Sequence, residues 1–248
     1  MEVNNRFRNL YLKNLQLTKQ RIRDSINSDN FINQSVSNLD EIDNAANLLS
    51  KRLREWFSLK NPEFSKSISD HKKFVELILN DKDRTVKSSM GANLSKSDME
   101  PILNLAVQIQ SLYILKQKHE NYLDKIMKEK YSNIYAVTGS LIGAKILAHT
   151  KTLKRLSMMT ASTIQLLGAE KALFRHIKTG AKPPKHGLIL QHQLLQRSKP
   201  KFRGKIARQL SDKIAIAAKI DYFKGNFLGD KLRKELDDKV QFINKQNK

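Results

Sequence analysis

The sequence predicts an all-α protein, a long antiparallel coiled-coil hairpin followed by a compact helical domain. Three observations carry that expectation. Apolar residues recur in alternating steps of three and four at Leu39, Ile42, Ala46, Leu49, Leu53 and Trp56, which is the a/d seam of a coiled coil. A second series, Ile102, Leu105, Ile109, Leu112, Leu123 and Ile126, has the same character, with Lys116 and His119 as polar interruptions. No segment alternates apolar and polar residues at the period of two that a half-buried strand requires.

Taken in order, residues 1–35 form a lead-in helix with an intermittent apolar pattern and a basic face of Arg6, Arg8, Lys13, Lys19, Arg21 and Arg23. The first seam follows and stops at Asn61 and Pro62, because the residue before a proline disfavours the α region. One shorter helix is expected over 64–83, with Phe74, Leu77 and Ile78 as its apolar face, and the polar run through Gly91 and Asn93 reads as a connecting tip. The return helix should begin at Ser97 as N-cap, with Glu100 three residues on and Pro101 in the first turn. Two seams joined by a distant tip fold back on each other, giving a coiled-coil domain at 36–130. Within one hairpin the two seams can bury each other, so periodicity alone does not require a dimer.

Beyond residue 130 the texture becomes small and compact. Residues 139–148, GSLIGAKILA, suit close helix packing, and their two glycines do not make a dinucleotide fingerprint because no strand precedes them. Helical segments are expected over 162–178, 204–222 and 228–244, with a helix or extended piece at 188–196 and a break at Lys199 and Pro200. Ile206, Leu210, Ile214, Ala217 and Ala218 should face inward. The second domain then spans 131–244, and 245–248 is a polar tail.

Charge identifies the binding half. The chain of 248 residues carries a formal +22 and a pI near 10.1, which implies an anionic partner, most often nucleic acid and less often an anionic membrane. Residues 1–130 are net +5 and residues 131–248 are net +17. From Lys130 through Ser211 the only acid is Glu170, against sixteen Lys and Arg, Lys130 included. One acid in such a stretch leaves little for catalysis, which needs a nucleophile, a carboxylate set or a cofactor loop. No cysteine is present, so disulfides and thiolate metal sites are excluded, and no apolar run has the length of a membrane span. The expectation is a soluble intracellular protein with no enzymatic activity, no cofactor and no membrane association.

The stretch GAEKALFRHIKTGAKPPKHG, residues 168–187, concentrates these features. Ala169, Ala172, Leu173, Phe174 and Ile177 make an apolar helical face, and Gly180 is a natural C′ residue, so the helix should end near Thr179. Lys171, Arg175 and Lys178 recur at spacings of four and three and share one face, which must meet water or anions. Pro183 and Pro184 then stiffen a loop that presents Lys182, Lys185 and His186 at little ordering cost.

At these residues the chain resembles a known family. GSLIGAKILAH at 139–149, ASTIQLLGAEKALFRHIKTGAKPPKHG at 161–187 and RGKIARQLSDKIAIAAKIDYFKG at 203–225 closely resemble the Nop domain of archaeal box C/D ribonucleoproteins and of related eukaryotic nucleolar and splicing proteins. LDEIDNAANLLSKRLREWFSLKNPEF at 39–64 is similar to the start of the family's coiled-coil domain, and MGANLSKSDMEPI at 90–102 to the tip before its return helix. Two departures stand out. Members usually begin with a further domain that docks the methyltransferase fibrillarin, which this chain does not show. Met158, Met159 and Thr160 stand where the family commonly has Lys-Met-Pro.

The resemblance implies a non-catalytic scaffold that recognises kink-turn RNA together with the ribosomal-type protein already bound to it, in support of guide-directed RNA 2′-O-methylation. Its alternative is a shortened member acting as an assembly factor without methyltransferase recruitment. Fibrillarin is the partner of full-length members and is not expected of this chain as it stands. The setting would be the cytoplasm of an archaeal cell, or the nucleolus or nucleus of a eukaryotic one. RNA contact falls to Lys171, Arg175, Lys178, Lys182, Lys185, His186, Arg203 and Arg208, with Lys154, Arg155, Thr163 and Gln165 near an RNA end or flipped nucleotide. Duplex RNA is read through its shape and backbone, so Lys, Arg, hydroxyls and amides are the side chains required. Leu173, Phe174, Pro183 and Pro184 are read as protein contact or core, core being favoured for Phe174. A homodimer through the coiled coil would draw on Leu39, Leu49, Leu53, Ile109 and Leu112. His176, His186 and His192 lack the clustered carboxylates or cysteines a metal site would need.

Overall fold

The computed structural model describes residues 2–80 and 89–245, with side chains from residue 7. The residues expected at 81–88 of the tip, the end of the tail at 246–248 and the side chain of Arg6 lie outside that range. All regular structure among the described residues is helical, without strands. They form two compact units, residues 35–124 and residues 1–34 with 125–248. These units divide the chain at residues 34 and 124, where the sequence reading sets its domain limits at 35 and 130.

The first unit is the hairpin. It takes residues from α2 (Ser28–Phe57), α3 (Pro62–Ser67), α4 (His71–Leu79) and α5 (Lys96–Lys130). Asn38 meets His119 at 3.1 Å, Lys116 donates to Asp43 at 2.6 Å, and the Ser50 and Tyr113 hydroxyls lie 3.4 Å apart. As the number rises along α2 it falls along α5, which is antiparallel pairing, and the polar interruptions of the second seam are the residues that fix its register. Leu39, Ile42, Ala46, Leu53, Ile102, Ile109 and Leu123 are buried, with Leu49 and Leu112 half-buried. The seam ends one residue later than expected: Trp56 is 38 % exposed and Phe57 is 1 % exposed. A final step of four brings Phe57 against Phe64 and Phe74, with ring centroids 5.6 and 5.9 Å away. Such aromatic contacts add to area burial.

The one helix expected over 64–83 is two, because each start has its own cap. Asn61 Oδ1 accepts from the Phe64 N–H at 3.0 Å with Pro62 at the first helical position, and Asp70 Oδ1 accepts from the Lys72 N–H at 2.9 Å. The Arg54 guanidinium binds the Ser65 and Ile68 carbonyls between them and lies 4.4 Å over the Phe74 ring. At the return, the cap of α5 is Ser95, two residues before the Ser97 expected. Its hydroxyl accepts from the Asp98 N–H at 3.2 Å while donating to the Asp98 carboxylate, so a Ser-x-x-Asp pair serves where Ser97 and Glu100 were expected to.

The second unit is built on α12 (Pro200–Tyr222), whose Phe202, Ile206, Ala207, Leu210, Ile214, Ala217 and Ala218 are buried. Around it pack α6 (Ser132–Thr138), α8 (Leu153–Met158), α9 (Ala161–Leu166) and α13 (Gly229–Lys245), with α7 (Ser140–Thr150) against α6 and α8. Tyr131 offers α6 no side-chain cap. Asp221 supplies it from α12: Oδ1 accepts the N–H and Nδ2 of Asn133 at 3.1 and 2.8 Å, and Oδ2 accepts the Ile134 N–H at 2.9 Å. Asp29 ties in the chain's early residues, taking the Tyr131 hydroxyl at 2.6 Å and the Leu153 N–H at 3.0 Å. Ahead of them, α1 (Glu2–Ser25) is exposed at every described side chain.

Candidate nucleic-acid interface

Two glycine-bounded segments present the cations. The helix expected over 162–178 is split at Gly168, whose φ of +82° admits glycine at little cost, into α9 and α10 (Glu170–Thr179). Gly180, at φ 69° and ψ 8°, ends α10 in the left-handed conformation, one residue after Thr179 as expected. No residue of α10 is buried. Ala172, Leu173 and His176 are half-buried and mark its inward side; Lys171, Arg175 and Lys178 are exposed along the opposite ridge. Phe174, expected in the core, is 62 % exposed beside that ridge, and Ile177 is 69 % exposed. The expected apolar face is thus divided between two sides of the helix, and Phe174 remains available for contact.

The loop after Gly180 is fastened at both ends. The His176 ring binds the Ala181 carbonyl through Nδ1. Gly187 donates to the Gln165 carbonyl at 2.9 Å and Leu188 to the Leu167 carbonyl at 2.7 Å, while Gln165 Nε2 donates to the Lys185 carbonyl at 2.6 Å. A Cβ on Gly187 would lie 1.9 Å from the Leu167 carbonyl oxygen, so only glycine permits this approach. Lys182, Pro183 and Lys185 are exposed, Pro184 and His186 half-buried. The Lys185 stem runs beside Gly204 on α12, where an added Cβ would sit 3.7 Å from Lys185 Cδ.

The other expected contacts sort by what already occupies them. Arg203 is half-buried and donates through Nε to the Ser198 carbonyl at 3.2 Å; Arg208, Lys154 and Arg155 are exposed. Thr163 is exposed and lies in the cap of α9, its Oγ1 2.9 Å from that of Thr160. No hydrogen bond among the described residues joins Lys154, Arg155 or Arg208 to α10. Gln165, expected at RNA, turns its donor inward to the loop.

Sequence reasoning missed the part played by Glu170, the one acid of the basic stretch. Its Oε1 accepts the Gly168 N–H at 2.8 Å and lies 2.6 Å from His149 Nε2. Burial acts to raise this carboxyl, and the Gly168 N–H and His149 outweigh it and hold the pKa below the ordinary value. The signal was available in Gly168, Ala169 and Glu170, an acid at a helix start after residues that cannot cap it. His192, buried, caps α11 (Gln193–Gln196) by accepting the Leu194 N–H at 3.2 Å. Burial first, and the charge of Arg233 second, push its pKa down to about 4. Among the described residues no three or more His, Asp or Glu stand where they could hold a metal ion, and no helix is long and apolar enough to cross a membrane.

Among the described residues, then, the chain combines a coiled-coil hairpin with a helical unit whose surface sets cations with no acid bonded to them beside exposed apolar side chains. The chain belongs to the Nop family, described as the snoRNA binding domain, fibrillarin, which matches residues 38–242. An uncharacterised NOP5 family protein of Methanocaldococcus jannaschii is 37 % identical over 93 % of this chain and 61 % of its own length. Nucleolar protein 56 of Saccharomyces cerevisiae is 31 % identical over 88 % of this chain and 49 % of its own length, and that of Homo sapiens 32 % over 91 % and 43 %. The chain spans roughly half the length of these relatives. A solved chain from a fibrillarin/Nop5p complex has the same fold, with a TM-score of 0.58 and 24 % identity over 96 % of this chain and 78 % of that one.

Proposed function

We propose that this chain is a non-catalytic scaffold of a box C/D-type ribonucleoprotein, binding kink-turn RNA jointly with the ribosomal-type protein that the RNA already carries. The observation that supports the reading is the outer side of α10, where Lys171, Arg175 and Lys178, exposed and paired with no acid among the described residues, stand next to the exposed Phe174 and Ile177. Cations alone suit phosphate and apolar side chains alone suit protein; a surface with both suits a partner made of both. Lys182 and Lys185 extend the cationic part into the loop. The family match, described as the snoRNA binding domain, fibrillarin, and the relatives named nucleolar protein 56 support a ribonucleoprotein setting. Self-association through the coiled-coil unit, if the chain dimerises, falls to outward residues such as Leu48, Val107, Ile114 and Leu115. Leu53 and Ile109 are already buried in the hairpin's own core, and Leu39 is buried as well.

Gel shifts of kink-turn RNA with and without the ribosomal-type protein test the proposal. Tight binding only when that protein is present is the expected result, because charge alone gives weak, salt-sensitive attraction. Equal affinity in both conditions would overturn joint recognition, and methyl transfer to RNA by the pure chain would overturn the non-catalytic reading.

A further inference from the structure

We infer that Gln165 is a positioning residue, one that sets the basic loop at 181–187 so that Lys185 meets phosphate, and that it does not itself contact RNA. The inference rests on the reading of this face as an RNA interface.

The loop cannot fasten itself. Pro183 and Pro184 have no N–H to donate, and their fixed φ keeps the segment extended, away from the turns that would pair its carbonyls internally. Among the described residues the only backbone group from 182 to 186 with a hydrogen bond is the Lys185 carbonyl, and its donor is Gln165 Nε2 at 2.6 Å. The other fastenings lie outside that span: the His176 ring on Ala181 at one end, and the Gly187 and Leu188 N–H groups on Gln165 and Leu167 at the other. Gln165 therefore holds the loop twice, by its backbone carbonyl at the closing end and by its side chain in the middle.

Three features of the sequence place that amide. The side chain of Thr160 caps α9, which keeps the six-residue helix and so Gln165 in register. Gly187, lacking a Cβ, lets the chain come close against Leu167, which brings the Lys185 carbonyl within reach. On its far side the Lys185 stem lies along α12 at Gly204. With carbonyl and stem both fixed, the exposed Lys185 ammonium loses little further freedom when it meets an anion, and pre-ordering of this kind strengthens binding without adding a contact.

The test compares the full chain with Gln165→Met, which keeps the length of the side chain and removes the donor, and with Gln165→Glu, which sets a carboxylate against the carbonyl. In the free protein, trypsin cleavage after Lys185 should quicken by about 5- to 10-fold in both variants, the ratio one hydrogen bond is worth, while cleavage after Lys245 is unchanged. In assembly with kink-turn RNA and its ribosomal-type protein, Gln165→Met should weaken binding by a similar factor and lower the salt slope by about one phosphate equivalent. Combined with Lys185→Ala it should add no more than about 2-fold; combined with Lys171→Ala the two losses should multiply. Unchanged trypsin cleavage, or losses that multiply with Lys185→Ala, would overturn the positioning role. If the loop loosens as expected but the unaltered chain fails to assemble on the RNA, the RNA-interface reading fails and the anchoring of the loop by Gln165 stands.

Discussion

Replacing Arg175 with alanine separates geometry from bulk charge. Arg175 is exposed on the α10 ridge, one turn beyond Lys171 and just before Lys178. Beyond the helix ladder, the one hydrogen bond it makes among the described residues is to its backbone carbonyl, from the Thr179 hydroxyl at 2.7 Å, and alanine keeps that carbonyl. Alanine is also the stronger helix former, so the fold should be indifferent to the change. What is lost is a planar donor that can take two oxygens of one phosphate. A hydrogen bond to a charged group contributes about 1–3 kcal/mol, so assembly on kink-turn RNA with its bound protein should weaken by about 5- to 150-fold. Arg175→Lys keeps the charge and loses the fork, and should recover only part of the affinity.

The control is Lys245→Ala at the exposed end of α13. In a chain of net +22, removing one distant charge alters the general attraction by no more than about one phosphate equivalent in salt slope. Dissociation constants at two salt concentrations, with circular dichroism to confirm folding, make the comparison. Equal losses for Arg175→Ala and Lys245→Ala would show that charge and not position governs binding, and the reasoning from the ridge would fail.

Two further outcomes are expected. Phe174→Ser should leave the melting temperature almost unchanged, within about 0.5 kcal/mol, because the ring is mostly exposed, and should weaken assembly only when the ribosomal-type protein is present; an equal loss on bare RNA would refute the protein-contact role. His192 has a folded-state pKa of about 4 against an ordinary value of 6.5, so the unfolded chain binds the extra proton between those values and stability falls as pH drops through that window. The loss is at most about 3 kcal/mol. Denaturant titrations should show a flatter acid limb for His192→Asn, which keeps an N-capping acceptor.

The seams, the all-α class, the end of α10 and the basic ridge were legible because each depends on local spacing or a single conformational preference. Heptad steps survive into the structure because a helix has one period, and Gly180 ends α10 because its left-handed φ favours glycine. What was not legible depends on distance. Asp70 and Ser95 are ordinary polar residues until the chain around them turns, and then they cap α4 and α5. Phe174 looked like core because its neighbours in sequence are apolar, but burial requires a facing element, and none among the described residues buries that side of α10. Gln165 was assigned outward because its residue type suits RNA; its bond to Lys185 joins residues twenty apart and exists only once Gly187 has closed the loop.

The charge of the second unit acquires its meaning from where the acids are. Of the seven acids in residues 131–248, Glu170 serves Gly168 and His149, Asp221 caps α6, Glu235 takes Lys213, and Asp237 takes Arg233. Burial raises the Asp221 carboxyl against the pull of its Ile134 and Asn133 donors, which marks it as a structural group drawn into the fold. Lys213 is buried in its pair, so that cation too is internal. The packing thus consumes most of the negative charge in caps and pairs, while Lys171, Arg175, Lys178, Lys182 and Lys185 remain exposed with no acid bonded to them among the described residues. A positive face made in this way is held apart by the frame beneath it, and the mutual repulsion of its cations, which folding alone does not relieve, falls when an anion binds.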